Sequence, residues 1–567
     1  MSATVPANPG RAADLESSDL NPPMARWFAL AAKLSAKLFA KLSVTLFVTL
    51  SIAGSLAACS FVPAWQRPAV PLPAQWPAPD SKRPAGTAPA GTALSATVPV
   101  ESQWWRAYGD PALDTLVVRA LAHNFTLAQA VATVDAARAN ARVAGAPLLP
   151  ALTLNGSVDR GHSPTSNSSA HKQSLFAQAS YEIDFWGLHR ANADSAAMRA
   201  EASAFDRDTA ALTLTASVVD TYFQLQSLRR RVALAQSVAD DARQLLALLV
   251  AQQAAGVATE LQVQQQRNAL ATFEAAVPVL QTQQDQNAHL LATLLGEPPG
   301  TAATPGTATT PIESIAVPQA RANLPAALLD MRPDIRAQEA RLKAANFDIG
   351  AARAAFLPNL ALTADGGFGS PSLAHFLANP LGYVAASLSA PLFEGGALSG
   401  QLAINEALVR EAAAGYRQTV LTALQDVEDA LSASAQQALA EASEAQAAEA
   451  AAKAAGLAQA SYGAGTVDFL TVLDAQRTRY QSEDALVQAH LARLQASVGL
   501  FRAFGGGCVS NGCLAQNPQD SQNPPNPQNV KGAENETSAQ NTKDAPLAPS
   551  SELASGASPR FTEPLAR

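Results

Sequence analysis

A long-range internal repeat restricts the architecture of this chain more than any other feature. Leu148-Leu149-Pro150-Ala151-Leu152-Thr153-Leu154 recurs as Phe356-Leu357-Pro358-Asn359-Leu360-Ala361-Leu362, an offset of 208 positions. The same 208 relates Leu121 to Leu329, Ala136-Ala137 to Ala344-Ala345, and Phe185-Trp186-Gly187 to Phe393-Glu394-Gly395. Further on the offset becomes 209, carrying Gly256 to Gly465, Leu261 to Leu470, Val263 to Val472 and Gly296 to Gly505. One net insertion over so long a stretch marks a tandem duplication. The halves run over 101–300 and 313–507, and 301–312, mostly Thr, Ala, Pro and Gly, joins them.

Each half reads as helix, strand, strand, long helix, tight turn, helix. In the first, Leu152, Leu154, Gly156 and Val158 alternate with Thr153, Asn155, Ser157 and Asp159. After a polar loop, Leu175, Ala177, Ala179, Tyr181, Ile183 and Phe185 alternate with Ser174, Gln178, Ser180, Glu182 and Asp184. Such alternation over about ten residues fits transmembrane β-strands, and it also fits a half-buried hairpin of a soluble sandwich. In the second half, Tyr383, Ala385, Ser387 and Ser389 offer no strong apolar face. From Leu188 to about Ala255 there is neither Pro nor Gly, enough for about 100 Å of helix at 1.5 Å per residue. Its stripe is Val218, Tyr222, Leu225, Leu228, Val232, Ala235, Ala239, Ala242, Leu246 and Leu249. From Val232 the spacing is that of a coiled-coil seam. The partner helix is Thr259–Leu295, with Pro278 inside it; Gly400–Ala460 and Val467–Phe504 repeat the pair.

Composition supports helices and little chemistry. The chain is 15% charged and 6% aromatic, with Ala, Gln and Leu dominating after residue 100, all good helix formers. The net charge of −8 is spread without a basic patch, which argues against nucleic acid. Seven His and three Cys form no HExxH pattern, there is no Walker loop, and neither glycine cluster (366–369, 505–507) lies between a strand and a helix. No catalytic residue, cofactor or metal site is therefore assigned.

The N-terminus carries an export signal. Arg26, Lys33, Lys37 and Lys41 precede the apolar run Leu42–Ala58, 17 residues ending in Leu56-Ala57-Ala58-Cys59. This order is secretory, and its end resembles the bacterial lipobox, in which Cys59 becomes the lipidated first residue. Residues 1–58 are then a signal peptide, with Met24 as an alternative start. Ser60 rather than Asp after the Cys implies, by the same resemblance, sorting to the outer membrane. Residues 59–100, rich in Pro and Ala, read as a lipid-anchored extended tether.

Two hairpins per chain supply four strands, and four cannot close a barrel. In lipid every strand edge must be paired, so membrane strands here demand an oligomer; a trimer supplies about twelve, enough to leave a lumen. Trp104-Trp105, Asp110-Pro111, Leu329-Asp330-Met331-Arg332-Pro333-Asp334-Ile335, Pro391-Leu392-Phe393-Glu394-Gly395-Gly396, Tyr462-Gly463-Ala464-Gly465 and Val472-Leu473-Asp474-Ala475-Gln476-Arg477 together resemble the TolC-like outer-membrane factors, specifically NodT-type lipoproteins of resistance-nodulation-division efflux systems. The resemblance covers nearly all of 59–507. It implies a mainly α fold with a β-barrel portion: a homotrimer with a twelve-strand outer-membrane barrel continued by a twelve-helix periplasmic tunnel. It also implies a periplasmic adaptor and an inner-membrane pump of that class as partners, beside outer-membrane lipid.

The candidate site residues lie where the long helices turn. Gly256, Val257, Ala258 and Thr259, and their repeats Gly465, Thr466, Val467 and Asp468, form the expected tip. Glycine permits the left-handed conformation that ends a helix, Thr259 and Asp468 are suited to cap the next one, and an adaptor would meet these turns. Leu470, Asp474 and Arg477 lie at i, i+4, i+7 on one helix face. The resemblance implies a resting gate at Leu470 and Asp474, with Arg477 as salt-bridge partner; an ordinary solvated Asp474–Arg477 pair is the plain alternative. Trp104, Trp105, Asp110, Pro111 and Arg332–Ile335 are read as packing and helix-start residues. Cys508 and Cys513 stand where the family usually has an aromatic residue; in the oxidising periplasm they would close a small disulfide loop. Residues 508–567 are an expected disordered tail. Two rivals stand beside the efflux duct: the same duct serving type I protein secretion, and a pore-free coiled-coil lipoprotein.

Overall fold

The computed structural model describes residues 61–76, 97–98, 103–163, 168–300, 310–320, 325–370, 373–378 and 380–507. The chain divides into two units, Met1–Leu514 and Ala515–Arg567, and every described residue lies in the first. The signal peptide, Cys59, residues 301–309 and the tail with Cys508 and Cys513 lie outside the described residues.

The first half contains β1 (Thr97–Val98), α1 (Pro111–His123), α2 (Phe125–Gly145), β2 (Ala151–Ser163), β3 (Ser168–Ile183), α3 (Leu188–Ala254) and α4 (Glu260–Leu294). The second contains β4 (Gln319–Ala320), α5 (Leu328–Met331), α6 (Pro333–Ala354), β5 (Asn359–Ser370), β6 (Pro380–Ser389), α7 (Ala397–Gly463) and α8 (Phe469–Ala503). The repeated helices match in length: α3 and α7 have 67 residues each, α4 and α8 have 35. Local chemistry sets the ends. Asp110 caps α1 by accepting from the Ala112 amide at 2.9 Å, with Pro111 in the first turn, where its missing N–H costs nothing. Asn124 ends α1 and caps α2 through the Leu127 amide at 3.0 Å. Among the described residues no helix is long and apolar enough to cross a membrane.

The expected seam of α3 is buried except at one point. Near the tip Leu245 turns inward and Leu246 is only half-buried, because a straight helix drifts about 20° per heptad against a strict seven-residue repeat. α3 packs against α1, α2, α4, α6 and α8, whereas α7 packs chiefly against α6 and α8 and reaches α3 near the tip, where Tyr462 donates to Gln252. Of the apolar cores that result, two are the largest. One, at mid-molecule, gathers Trp104, Tyr108, Phe223, Phe501 and Phe504, with Trp104 stacked on Phe501 at 5.2 Å. The other closes the tip with Leu249, Val263, Phe273, Phe469 and Val472.

Residues 61–76, within the segment expected to be an extended tether, pack along α6 and α7. Phe61 sits edge-on to Trp186 at 6.4 Å, Asn346 donates to the Pro63 carbonyl at 2.8 Å, and Arg67 pairs with Glu339 at 2.8 Å and Asp330 at 3.2 Å. Val70 and Leu72 join the cluster of Ile335, Leu342, Tyr416 and Val420. Proline gives this strap a preset extended backbone, so its ordering costs less entropy than a flexible linker would.

Candidate functional site

The two tips are built alike. After α3, the Gly256 amide bonds to the Gln253 carbonyl at 2.9 Å and that of Val257 to Gln252 at 2.8 Å; after α7, Gly465 bonds to Tyr462 and Thr466 to Ser461, both at 2.9 Å. This paired pattern satisfies the last carbonyls of each helix and requires the left-handed φ of 75° at Gly256 and 74° at Gly465. The next helix then starts with a side-chain cap. The Thr259 hydroxyl accepts from the Gln262 amide at 3.3 Å while Gln262 accepts from the Thr259 amide at 2.8 Å, a capping box. Asp468 accepts from the Thr471 hydroxyl at 2.5 Å and its amide at 2.9 Å, and these bonds hold its carboxyl below the ordinary range. Ala258 and Val467 are half-buried, and Val257 is exposed at the end of the structure.

Leu470, Asp474 and Arg477 share the exposed side of α8, opposite the buried Phe469, Val472 and Leu473. Leu470 and Asp474 border an open groove against Ala451, Ala454 and Ala458 of α7. The structure brings these residues onto one face, but Asp474 and Arg477 form no ion pair with each other. An exposed pair gains only a few tenths of a kcal/mol, less than the entropy of holding two long side chains together.

At the far end of the long helices lies the sheet, ordered β2-β3-β5-β6 and antiparallel throughout. Its register places Leu152, Ala179, Ala364 and Val384 in one cross-strand row, and Leu154, Ala177, Gly366 and Gly382 in the next. Leu360 and Leu388 belong to the same face. This overturns the expectation of a weak apolar face in the second hairpin. The apolar positions of β6 are Pro380, Gly382, Val384, Ala386 and Leu388; reading Tyr383, Ala385, Ser387 and Ser389 took the other parity, and a shift of one residue exchanges the faces. The opposite face carries Thr153, Gln178, Asp365 and Tyr383 in one row, and Ser180, Thr363 and Ala385 in another. Leu152, Leu154, Val384 and Leu388 are all at least 70% exposed. A broad apolar face open to the surroundings marks a lipid or partner contact. Neither β2 nor β6 has a strand on its outer side among the described residues.

The outer membrane efflux protein family matches residues 116–297 and 324–506. The chain belongs to that family. Among curated relatives of this outer membrane efflux protein, the pyoverdine export outer membrane protein OpmQ of Pseudomonas aeruginosa is 39% identical over 72% of this chain and 88% of its own. The toluene efflux pump outer membrane protein TtgC of Pseudomonas putida is 31% identical over 80% and 93%. Among solved structures, the outer-membrane channel OprN superposes with a TM-score of 0.71 at 30% identity, covering 79% of this chain and 99% of that one. The open state of the MtrE channel of Neisseria gonorrhoeae gives 0.71 at 28%, covering 80% and 99%. Like these outer-membrane channels, the chain is mostly helical with a small antiparallel sheet.

Polar contacts knit the helices of this outer membrane efflux protein together, one of them across the two repeats. Arg231 of α3 meets Asp484 of α8 through two bonds, 2.7 and 3.1 Å. Glu441 of α7 accepts from Arg493 and faces His490, whose other ring nitrogen lies 2.9 Å from the carbonyl of Ile312. Burial pushes the Glu441 carboxyl up, but the Arg493 and His490 contacts outweigh it and hold the group below its usual range. Arg332 bonds Asp334, Asp426 and the Ala503 carbonyl, so the Arg-Pro-Asp-Ile turn ties α6 to the end of α8. The Arg332 turn was expected to pack; no periodicity signals the Arg231–Asp484 and Glu441–Arg493 pairs, because their partners lie far apart in the chain.

Proposed function

We propose that three copies of this outer membrane efflux protein pair β6 of one with β2 of the next, closing a twelve-strand barrel whose apolar face meets lipid. Their long helices then form the periplasmic tunnel of a tripartite efflux system. One observation carries the reading: a single apolar face runs across all four strands, with two free edges, at one end of helices about 100 Å long. Strands of 10 to 16 residues fit the roughly 9–11 a bilayer needs. A lipid on Cys59 is in keeping with Phe61 resting on Trp186 beside the end of β3. The two repeats then act as one wall. At the tip, Gly256 to Thr259 and Gly465 to Asp468 meet a periplasmic adaptor that couples the duct to an inner-membrane transporter of the resistance-nodulation-division class. Leu470 and Asp474 form the gate as rings of three, the leucines apolar and the aspartates drawing cations, with Arg477 one turn further in. Relatives named for pyoverdine export and toluene efflux favour small organic cargo over secreted protein.

Purified protein tests this directly. Trimers that resist detergent and dissociate on heating, and conductance in planar bilayers that rises when Asp474→Ala loosens the tip, are the expected results. Monomers alone after cross-linking in membranes would remove the barrel, and unchanged conductance in the variant would remove the gate.

A further inference from the structure

The polar face of the sheet carries one row out of character. Its other rows present hydroxyls, amides and carboxylates, such as Thr153, Gln178, Asp365 and Tyr383, or Glu182, Ala361 and Ser387. The exception reads Asn155, Phe176, Gly367 and Leu381. Here β5 comes so close to β3 that a Cβ on Gly367 would lie 2.0 Å from the Leu175 carbonyl oxygen. Two residues on, a Cβ at Gly369 would meet Leu381 Cδ1 at 3.1 Å and Phe176 Cζ at 3.9 Å. Phe176 on β3 and Leu381 on β6 therefore both lean over Gly369, from opposite sides. Leu381 remains 50% exposed and Phe176 half-buried, so the glycines do not bury the pair. Apolar groups of this size on a hydrated, polar-lined surface obstruct water rather than help fold the sheet.

We propose that three Phe176–Leu381 pairs form an apolar collar across the otherwise polar barrel lumen, a second constriction separate from the tip gate. It rests on the reading that the polar face lines the lumen. A hydrophobic constriction resists water and ions and gives apolar cargo a contact late in its passage. The collar lies inside the barrel: the row of Ser157 and Ser174 is nearer the hairpin ends, and that of Ser180, Thr363 and Ala385 is nearer the helices.

Access from outside the cell tests it without involving the tip. Trimers in intact outer membranes, with Cys508 and Cys513 replaced by Ser, carry Ser157→Cys or Ser180→Cys and react with membrane-impermeant polyethylene-glycol maleimides of graded size. Small reagents should label both positions. Above a threshold size, Ser180→Cys should react at least about tenfold more slowly than Ser157→Cys, as a constriction between them requires. Phe176→Ser with Leu381→Ser should abolish that difference; Leu381→Ala alone, which leaves Phe176 over Gly369, should narrow it if the double variant does not assemble. Equal labelling at every size with Phe176 and Leu381 intact overturns the collar. Failure of even small reagents to label either cysteine, with Leu154→Cys reacting instead, overturns the inward polar face and thus the barrel orientation itself.

Discussion

Asp220 makes the stability of the mid-molecule core depend on pH in a direction opposite to that of most carboxylates. It lies on α3 between the buried Val219 and Thr221, one of its carboxylate oxygens has no hydrogen-bond partner, and Tyr108 packs nearby. Burial pushes its carboxyl up to about 7, with Arg502 pulling weakly the other way. A folded-state value above the unfolded one, about 3.9, means that the native chain holds a proton the unfolded chain has released. The stabilising effect is therefore full below the unfolded value and lost as pH rises through about 7. At 1.36 kcal/mol per unit the whole swing is roughly 4 kcal/mol, about two thirds of it between pH 5 and pH 8. Asp220→Asn keeps the shape and removes the charge. The variant should unfold at a higher temperature than the parent at pH 8, with a clearly smaller gain at pH 5. Circular dichroism melts at both values read this. An equal shift at the two pH values, or a loss at pH 8, would refute an uncompensated carboxylate in this core.

Thr259→Ala removes half of a capping box and should cost about 1 kcal/mol, seen as faster amide exchange over the first turns of α4 with the rest of the helix unchanged. Gly506 holds φ at +61°, and a Cβ there would lie 2.4 Å from Leu212; Gly506→Ala should destabilise by roughly 2–4 kcal/mol from backbone strain plus overpacking, read as a lower melting temperature. Arg67→Ala takes from the strap its pair with Glu339, which is left with Lys343 at 2.9 Å; limited proteolysis should then cut between residues 61 and 76 at protease levels that spare the parent, with the helices intact.

The helical part was legible because its signals are local and repeat. An unbroken run without Pro or Gly gave α3 to within a residue at each end, and the 209-residue offset found the matching tip glycines. The face of β6 was missed for a definable reason: alternation was sought at Tyr383 and Ala385, while the register aligns Val384 and Leu388 with Ala364 and Leu360. Testing both parities would have found it. Arg231 with Asp484, and Arg67 with Glu339, were beyond reach, since an ion pair leaves no periodic trace and its partners are separated by 253 and 272 positions. The gate residues were located by resemblance; their spacing alone says only that they share a face.

The duplication also indicates which surfaces neighbouring copies would share. Both halves keep helices of 67 and 35 residues, because an inserted residue would advance one tip by about 1.5 Å and rotate every residue after it by about 100°. Burial has not been kept. α3 is buried along most of its length, while α7 is buried only around Tyr416–Val427 and Ala448–Ala458, leaving Ile404, Leu408, Leu421 and Leu439 exposed. Within one chain α3 is surrounded and α7 is not, while α2 of the first repeat leaves Phe125, Val131 and Val143 exposed, so unlike surfaces of the two repeats await cover. At the sheet the two free edges likewise come from different repeats, β2 from the first and β6 from the second. An interface that joins unlike surfaces is head-to-tail, and it closes a ring when the rotation per copy divides a full turn. Cysteine pairs set across β6 and β2 should therefore cross-link neighbouring copies into closed trimers. The same cysteines placed to join β2 to β2 should give no product, and dimers from that second pair would show that the copies meet like to like and leave the barrel open.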